Sequence, residues 1–318
     1  MFVPYLLITL LLLGLLLMYF RVARRFNIID HPGGRTSHVR PTIRGGGILF
    51  PAAALIWYLL FGMQNTWAVT GLLLISAVSF FDDAVGVRAE IRLVIHIVAV
   101  SMLLHEIGLW SYYWYWIALA FVLTAACINA FNFMDGINGI TSFYTLVTLG
   151  SFSLLNNANR LLSPFFDGHL PEGWVSFLPG RLVGAVFVAV LVFSFFNARK
   201  RALTFAGDVG SISIAFLMSW FMIALMNMSH SFYWILLFSV YGIDTAVTIC
   251  VRIRRKENLF RPHRLHLYQL LANERGMPHL RVAALFAITQ LLVNLGVIVL
   301  IFSGNMTLAV FLAILFLL

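Results

Sequence analysis

Four aspartates in this sequence could bind a metal ion or act as an acid or base: Asp82, Asp83, Asp135 and Asp208. Asp82 and Asp83 are adjacent at the end of an apolar stretch, where two like charges are unfavourable unless the pair holds a cation or a proton. Magnesium binding, a proton relay and a general base are therefore all open for this pair. The simpler alternative is a solvated helix end that forms an ion pair with Arg88.

The other two aspartates also lie where an apolar stretch begins or ends. Asp208 follows Gly207 at the start of such a stretch, where it could cap a helix or bind a metal beside a phosphate. Asn129, Asn132 and Asp135 are spaced by three residues, so the two amides share one helical face and Asp135 continues the row into the next loop. A capped turn between two helices is the simpler interpretation of that row.

A basic segment near the N-terminus could hold a phosphate group. It carries His38, Arg40 and Arg44 directly before the triplet Gly45-Gly46-Gly47. Glycines let backbone N–H groups close on an anion at a helix N-terminus, and the basic side chains would add charge-assisted hydrogen bonds. A positively charged loop with a flexible hinge is the alternative.

A second basic segment lies near the C-terminus and carries His263, Arg264 and His266. These side chains form a compact cationic cluster that could grip a diphosphate. An amphipathic helix among lipid headgroups is the alternative interpretation. Asp244 lies inside an apolar stretch, and we expect it to pair with Arg252 or another buried polar group in a structural role.

The elements that must position these residues are membrane helices. The chain has 318 residues, of which 61% are hydrophobic and 10% charged, and its mean hydropathy is +0.94. Lipid offers the backbone no hydrogen-bond partner, so each stretch that crosses about 30 Å of hydrocarbon should be a helix. We predict an all-α polytopic protein of about eleven spans, near 2–20, 46–62, 66–81, 91–109, 114–131, 138–155, 181–196, 211–229, 232–250, 281–302 and 305–318. The first of these is expected to be retained as a helix and not cleaved as a signal peptide.

The basic residues set the expected topology. The net charge of +9 does not indicate nucleic-acid binding, because the basic residues occur in small groups between apolar spans. By the positive-inside rule those groups are cytoplasmic, which puts the N-terminus in the periplasm and the C-terminus in the cytoplasm. We therefore predict one integral membrane domain over residues 1–318, with cytoplasmic loops at about 21–45, 82–90, 132–137, 197–210 and 251–280.

This topology delivers all five polar segments to one side of the membrane. Carboxylates from several loops, together with Arg and His clusters, predict a site for a magnesium-bound diphosphate at the membrane surface.

The order of these segments resembles a known family. Asp-His-Pro followed by Arg-Gly-Gly-Gly, then Asp-Asp, Asn-Ala-Phe-Asn-Phe-Met-Asp-Gly, Gly-Asp-Val-Gly-Ser and Pro-His-Arg-Leu-His-Leu-Tyr-Gln, is similar to the bacterial polyprenyl-phosphate N-acetylhexosamine-1-phosphate transferases. That family includes the peptidoglycan lipid I synthase and enzymes that start O-antigen, common-antigen and teichoic-acid linkage units. The resemblance covers residues from about 30 to 270.

The resemblance implies an activity at the inner membrane of a bacterium, with the active site facing the cytoplasm. Sugar 1-phosphate would pass from a UDP-N-acetylhexosamine to undecaprenyl phosphate with release of UMP, in a reaction that needs Mg²⁺ or Mn²⁺. Membrane lipids would surround the protein, and a homodimer would fit the family.

The resemblance also implies roles for individual residues. Asp208 would bind magnesium, together with Asp83, while Asp82 or Asp83 would bind or deprotonate the lipid phosphate. Asn132 and Asp135 would line the nucleotide and metal pocket, where Asp135 would be catalytic, and Asn129 would bind substrate. The remaining substrate-binding residues would be His38, Arg40, His263, Arg264 and His266.

Departures from the family pattern bear on the donor sugar. The last loop lacks the three consecutive histidines of lipid I synthases, and its His-Arg-Leu-His-Leu-Tyr-Gln is more similar to the O-antigen initiating enzymes. We therefore expect a donor that carries GlcNAc, FucNAc or QuiNAc before one that carries muramoyl-pentapeptide. Direct attack by the lipid phosphate is the expected route, with a covalent aspartyl-phosphate at Asp82 or Asp83 as the alternative. A transporter or lipid flippase is the alternative function class, and it predicts ionisable groups near span midpoints.

Overall fold

The computed structural model describes residues 2–30, 41–166, 170–171, 173–258 and 263–318. A helix lies in each of the eleven predicted apolar segments. The α-helices of ten or more residues in the described part of the chain are α1 Phe2–Arg25, α2 Leu49–Leu60, α3 Thr66–Val85, α4 Ala89–Glu106, α5 Trp114–Met134, α6 Ile140–Asn156, α7 Gly180–Asn197, α8 Gly207–Ser229, α9 Ser239–Arg254, α10 His279–Phe302 and α11 Leu308–Leu317.

Seven helical segments of the described chain are long and apolar enough to cross a membrane. They contain α1, α3, α5, α7, α8, α9 and α10. The remaining four are shorter or, in α4, interrupted by Glu90, Arg92 and Glu106. The structure thus agrees with the all-α polytopic class, and both the number of crossings and the orientation of the termini stay predictions.

Helix α8 is the centre of the bundle. Nearly all of its residues are buried, and it packs against α3 and α5 along much of its length. A helix that is apolar on every face is expected where other helices surround it completely. Because α8 begins at Gly207, its N-terminus carries Asp208 into the middle of one end of the bundle.

A short backbone pairing brings the segment after α1 to the N-terminus of α8. Strand β1, Ile29–Asp30, pairs antiparallel with β2, Thr42–Ile43. The N–H of Gly46 donates to the Phe205 carbonyl at 2.8 Å, and that of Gly47 to the Ala206 carbonyl at 3.1 Å. These bonds fix Arg44 beside the first turn of α8.

The backbone can approach so closely because both sides of the contact are glycine. A Cβ added at Gly47 would overlap the backbone of Gly210, and one added at Gly210 would crowd the backbone of Gly47. The glycine triplet therefore serves packing as well as flexibility.

The predicted span at 232–250 is broken near its start. Residues Phe232–Phe238 form a 3₁₀ helix, and α9 begins at Ser239. Gln290 of α10 compensates for the break, since its side-chain oxygen accepts the Val240 N–H at 2.9 Å and its amide donates to the Leu236 carbonyl at 3.0 Å. Proline commonly marks such breaks, but none lies here. A buried polar side chain from a neighbouring helix instead supplies hydrogen-bond partners to the backbone groups that the break leaves unpaired.

We expect Gly47→Ala to lower the free energy of unfolding by about 1–3 kcal/mol, because the added methyl group must displace the α8 backbone. Thermal denaturation of the detergent-purified protein would measure this as a lower midpoint. Gly150→Ala is the matched control, since a Cβ there meets nothing within 4 Å. Equal midpoints for the two variants would contradict the tight contact.

Candidate active site

The site is organised by one arginine that lies between two aspartates. Arg44 Nε is 2.6 Å from Asp83 Oδ1, and Arg44 Nη2 is 3.0 Å from Asp208 Oδ1. The Asp83 side chain is fully buried, whereas that of Asp208 is 25% exposed. Residues from three distant parts of the sequence therefore meet at one point, as the sequence analysis predicted for their segments.

Asp83 also caps α8. Its Oδ1 accepts the Asp208 N–H and its Oδ2 accepts the Val209 N–H, both at 3.0 Å. The first N–H groups of a helix have no partner within the helix, and a carboxylate there is further stabilised by the helix dipole. Gly207 has φ +71°, and a Cβ at this position would collide with Asp83, so a glycine is required for the carboxylate to come so close.

Asn132 holds Asp208 from the other side. Its amide donates to Asp208 Oδ1 at 3.3 Å and to Ser211 Oγ at 3.0 Å. Ser211 lies one turn after Gly207, and its hydroxyl donates to the Gly207 carbonyl. The side chain of Asp208 is thus oriented by a guanidinium and an amide, with the rest of the carboxylate left toward solvent.

Asp135 follows the last residue of α5 and lies close to the same point. Its Oδ1 accepts a hydrogen bond from the Thr141 hydroxyl at 2.5 Å. Burial raises the pKa of Asp135 to about 7, the Thr141 hydrogen bond opposes that shift, and the negative charges of Asp208 and Asp83 add to it. This carboxyl group therefore keeps its proton to a higher pH than a solvated aspartate does.

A polar cavity of about 260 Å³ opens beside these residues. Its described lining comes from the segment before α2, the end of α5 and the loop after it, the end of α7, the start of α8, the segment that joins α9 to α10, and the start of α10. The lining residues are Asp30, Arg44, Asn132, Asp135, Gly136, Ile137, Asn138, Asn197, Phe205, Gly207, Asp208, Ser211, Gln269 and His279. Its volume is sufficient for part of a nucleotide sugar.

The cavity offers oxygen ligands for a cation. The carboxyl groups of Asp30, Asp135 and Asp208 line it together with the Arg44 guanidinium. A diphosphate would add negative charge to this set, so a bound divalent cation would offset the repulsion. Among the described residues no three His, Cys, Asp or Glu side chains lie close enough to form a protein-only metal site. Magnesium commonly binds through one or two carboxylates, substrate phosphates and water, so the oxygen donors around Asp208 fit it.

The two adjacent aspartates face different neighbours. Neither Asp82 nor Asp83 is among the described lining residues, and the two differ in their contacts. Asp82 Oδ1 accepts the Val87 N–H at 2.8 Å, and its Oδ2 pairs with Arg92. Arg88, the alternative partner in the sequence analysis, instead lies 3.4 Å from Glu90. Asp82 therefore closes the turn between α3 and α4, while Asp83 belongs to the centre.

The two asparagines that the spacing placed on one face have different surroundings. Asn132 lies in the site, whereas Asn129 is exposed and donates to the Ala125 carbonyl of its own helix at 2.8 Å. Three residues of an α-helix turn through about 300°, so the two side chains point about 60° apart. At the end of α5 this difference leaves one side chain in the site and the other exposed.

The histidine segment of the last loop lies next to the cavity without lining it. His266 is 3% exposed, and its Nδ1 is 3.4 Å from Asp244 Oδ1, which also accepts the Leu267 N–H at 3.0 Å. The His263 ring lies near it, tilted by 36° with the ring centroids 5.0 Å apart. Burial, then the positive charge of Arg252, lowers the pKa of His263. Asp244 thus pairs with the histidine segment, and the role of His263, Arg264 and His266 in holding a sugar diphosphate stays a prediction.

His38 and Arg40 fall outside the described residues, so their expected roles are also untested. Three residues of the site were not predicted from their sequence positions: Thr141, Ser211 as a partner of Asn132, and His279, whose Nδ1 accepts the Asn138 N–H at 3.4 Å. Each of them is an ordinary residue type at the start of an apolar helix. Only their distance from Asp135, Asp208 and Asn138 in the fold identifies them.

Comparison with known proteins supports the family resemblance of the sequence motifs. The model of glycosyl transferase family 4 matches residues 65–226, which is about half of the chain and includes most of the site. The undecaprenyl-phosphate alpha-N-acetylglucosaminyl 1-phosphate transferase of Escherichia coli K12 is 26% identical over 321 residues, covering 92% of this chain and 82% of the relative. The decaprenyl-phosphate N-acetylglucosaminephosphotransferase of Mycolicibacterium smegmatis is 26% identical over 227 residues, covering 62% of this chain and 53% of the relative.

We expect Asp83→Ala to lower the free energy of unfolding by about 1–3 kcal/mol, because it removes the cap of α8 and one of the two carboxylates that Arg44 contacts. The midpoint of thermal denaturation would measure the loss. Glu90→Ala is the control, since the Arg88–Glu90 pair is exposed on both sides and should contribute almost nothing. Equal midpoints of thermal denaturation for the two variants would show that Asp83 does not stabilise the N-terminus of α8.

Proposed function

The chain belongs to glycosyl transferase family 4, and on this premise we propose that it transfers N-acetylhexosamine 1-phosphate from a UDP-N-acetylhexosamine to undecaprenyl phosphate and releases UMP. The observation that carries the proposal is Asp208, held at the wall of a polar cavity by Arg44 and Asn132 at the N-terminus of the central helix. Helix N-termini, guanidinium groups and amides are the groups that proteins use to hold phosphates.

We propose UDP-GlcNAc as the first donor to test. The names of the E. coli and M. smegmatis relatives both specify N-acetylglucosamine. UDP-FucNAc and UDP-QuiNAc are the next candidates, because they differ from UDP-GlcNAc by small changes on the sugar ring. The product would be a lipid-linked sugar that starts a surface glycan such as O-antigen.

Magnesium is the proposed cofactor, with manganese as a substitute. Asp208 would hold it, because this carboxylate is partly exposed and lines the cavity. Its contacts to Arg44 and Asn132 both use Oδ1, so lone pairs of the other oxygen remain for the ion. Asp83 uses both of its oxygens for Arg44 and the α8 N–H groups, so its contribution would be to fix Asp208 in place. When bound, the ion would neutralise charge on the diphosphate.

The protein's own groups would position the substrates. Phosphoryl transfer depends chiefly on alignment and charge stabilisation, so a guanidinium fixed within the cavity wall, as Arg44 is, suits a developing negative charge. The acceptor phosphate is tethered by its polyprenyl tail, which requires the reaction to occur at headgroup depth. We propose that this end of the bundle faces the cytoplasm at the inner membrane, where nucleotide sugars are found and where the basic loops favour it.

Direct attack of the lipid phosphate on the β-phosphorus is the route we favour. An aspartyl nucleophile needs a free oxygen lone pair aimed at the phosphorus. Asp83 is fully buried with both oxygens occupied, and Asp82 is held by Arg92 and the Val87 N–H. The contacts of both carboxylates therefore favour one step over two.

Purified protein in detergent, supplied with undecaprenyl phosphate, Mg²⁺ and UDP-GlcNAc, should release UMP. UDP-FucNAc, UDP-QuiNAc and UDP-MurNAc-pentapeptide would complete the donor panel. Asp208→Asn should lower the rate by about 100-fold or more, because it removes the charge that holds the cation. Glu90→Gln, an exposed change on α4, should leave the rate unchanged. A folded wild-type sample that releases no UMP with any donor would overturn the proposed function.

The one-step route makes a separate prediction. Incubation with UDP-GlcNAc labelled in the sugar, without acceptor, should leave the precipitated protein free of label, because no covalent intermediate forms. Wild-type protein with acceptor present, assayed in parallel for labelled lipid, shows that the sample is active. Label bound to protein and lost in Asp82→Asn or Asp83→Asn would establish the two-step route instead.

A further inference from the structure

Helix α4 carries a pair of polar residues that the site described so far does not use. Arg92 and His96 are one helical turn apart and therefore lie on the same face. Their neighbours Leu93, Val94 and Ile97 are exposed by 61%, 59% and 49%, as expected of side chains that face lipid. These three residues lie on other sides of α4, so the helix borders the lipid, while the half-buried Arg92 and His96 lie on its side toward the bundle.

Arg92 is fixed in place by Asp82. The carboxylate uses one oxygen for the Arg92 guanidinium and the other for the Val87 N–H in the turn before α4. The Arg92 side chain is nevertheless 37% exposed, so part of its guanidinium lies toward solvent. An arginine held in this way can bind a second anion. A guanidinium has five N–H donors, and Asp82 uses only one of them in this ion pair.

His96 has a buried nitrogen that lacks a partner. Its Nε2 is shielded from solvent and makes no hydrogen bond. The charges of Arg92, Asp208 and Asp82 all act on this ring, which places it between the α3–α4 turn and the centre of the site. A buried polar atom without a partner is unfavourable and commonly marks a place where a ligand supplies the missing group.

The position of this pair relative to the cavity separates two approaches to Asp208. None of the described lining residues of the cavity comes from α3 or α4. The cavity and the Arg92–His96 pair, which lies on a helix that borders the lipid, are therefore two separate approaches to Asp208, whose charge acts on the His96 ring. A soluble nucleotide sugar suits the first approach, and a phosphate that moves within the bilayer suits the second.

We propose that His96, together with Arg92, binds the phosphate of the polyprenyl acceptor and presents it to the donor held beside Asp208. This inference rests on the proposed function. The Nε2–H group of His96 donates to one phosphate oxygen, and the free guanidinium donors of Arg92 reach a second. Asp82 is a positioning residue, since it acts through Arg92.

The test compares the two substrates in one set of variants. His96→Leu removes the donor, and His96→Gln restores an amide donor near the position of Nε2. His105→Gln is the matched control, because His105 lies on the same helix at its other end, exposed and beside the Trp67 ring. The KM for undecaprenyl phosphate and that for UDP-GlcNAc are measured separately for each variant.

His96→Leu should raise the KM for undecaprenyl phosphate about tenfold to a hundredfold, with the KM for UDP-GlcNAc unchanged. His96→Gln should recover part of the loss, and His105→Gln should match the wild type. An increase confined to the KM for UDP-GlcNAc would assign His96 to the donor phosphates and overturn the proposal. Unchanged constants for both substrates would show that the ring only fills space.

A binding measurement keeps the proposal testable if turnover is absent. Labelled undecaprenyl phosphate should bind the wild-type protein more tightly than His96→Leu, while undecaprenol, which lacks the phosphate, should bind both equally. Inorganic phosphate should compete weakly, since it has no tail to bring it into the bilayer. Equal binding of undecaprenyl phosphate to both proteins would overturn the assignment, whereas a wild type that binds and discriminates but releases no UMP would overturn the proposed function alone.

Discussion

The structure depends on one buried arrangement: the Arg44 guanidinium between the carboxylates of Asp83 and Asp208. A buried carboxylate without a counter-charge is strongly unfavourable, so Asp83 can remain charged inside the bundle only while Arg44 and the α8 N–H groups accompany it. Each member comes from a different region of the chain. The ion triad can form only when α3, α8 and the segment before α2 are all in place, so the fold and the site are specified together.

The glycines explain how charged groups can be brought so close within an apolar bundle. Gly47 and Gly210 remove the side chains that would hold two backbones apart, and Gly207 leaves space for the Asp83 carboxylate. The first turn of α8 consequently contacts Asp83, Asn132 and Arg44, while Asp208 still lines the cavity. Rigid support of one partly exposed carboxylate is the condition under which it can hold a cation in a defined place.

The class of the fold and several residues of the site could be predicted from the sequence, because both are visible in the pattern of apolar and polar residues. Apolar stretches identified the helices, and Asp208 and Asn132 stood out as polar residues at the ends of such stretches. Orientation could not be predicted in the same way. Asp82 and Asp83 are chemically identical neighbours, and the 100° turn between successive residues of a helix sends one to Arg92 and the other to Arg44. Similarly, His266 was expected at the substrate, whereas the fold buries it beside Asp244, a pairing that depends on how the last loop returns to α9.

The separation of Asp82 from Asp83 has a chemical consequence. If both carboxylates faced the same point, their repulsion would have to be relieved by a proton or a metal ion, and the pair would act as a unit. Because each has its own arginine, the two charges are neutralised independently, and each arginine is fixed in a different place. Arg44 lines the polar cavity, and Arg92 lies on α4, a helix that borders the lipid. An enzyme that joins a water-soluble phosphate to a membrane-tethered one needs two such anchors, one for each solvent, and an adjacent pair of aspartates at a helix end is a compact way to position both.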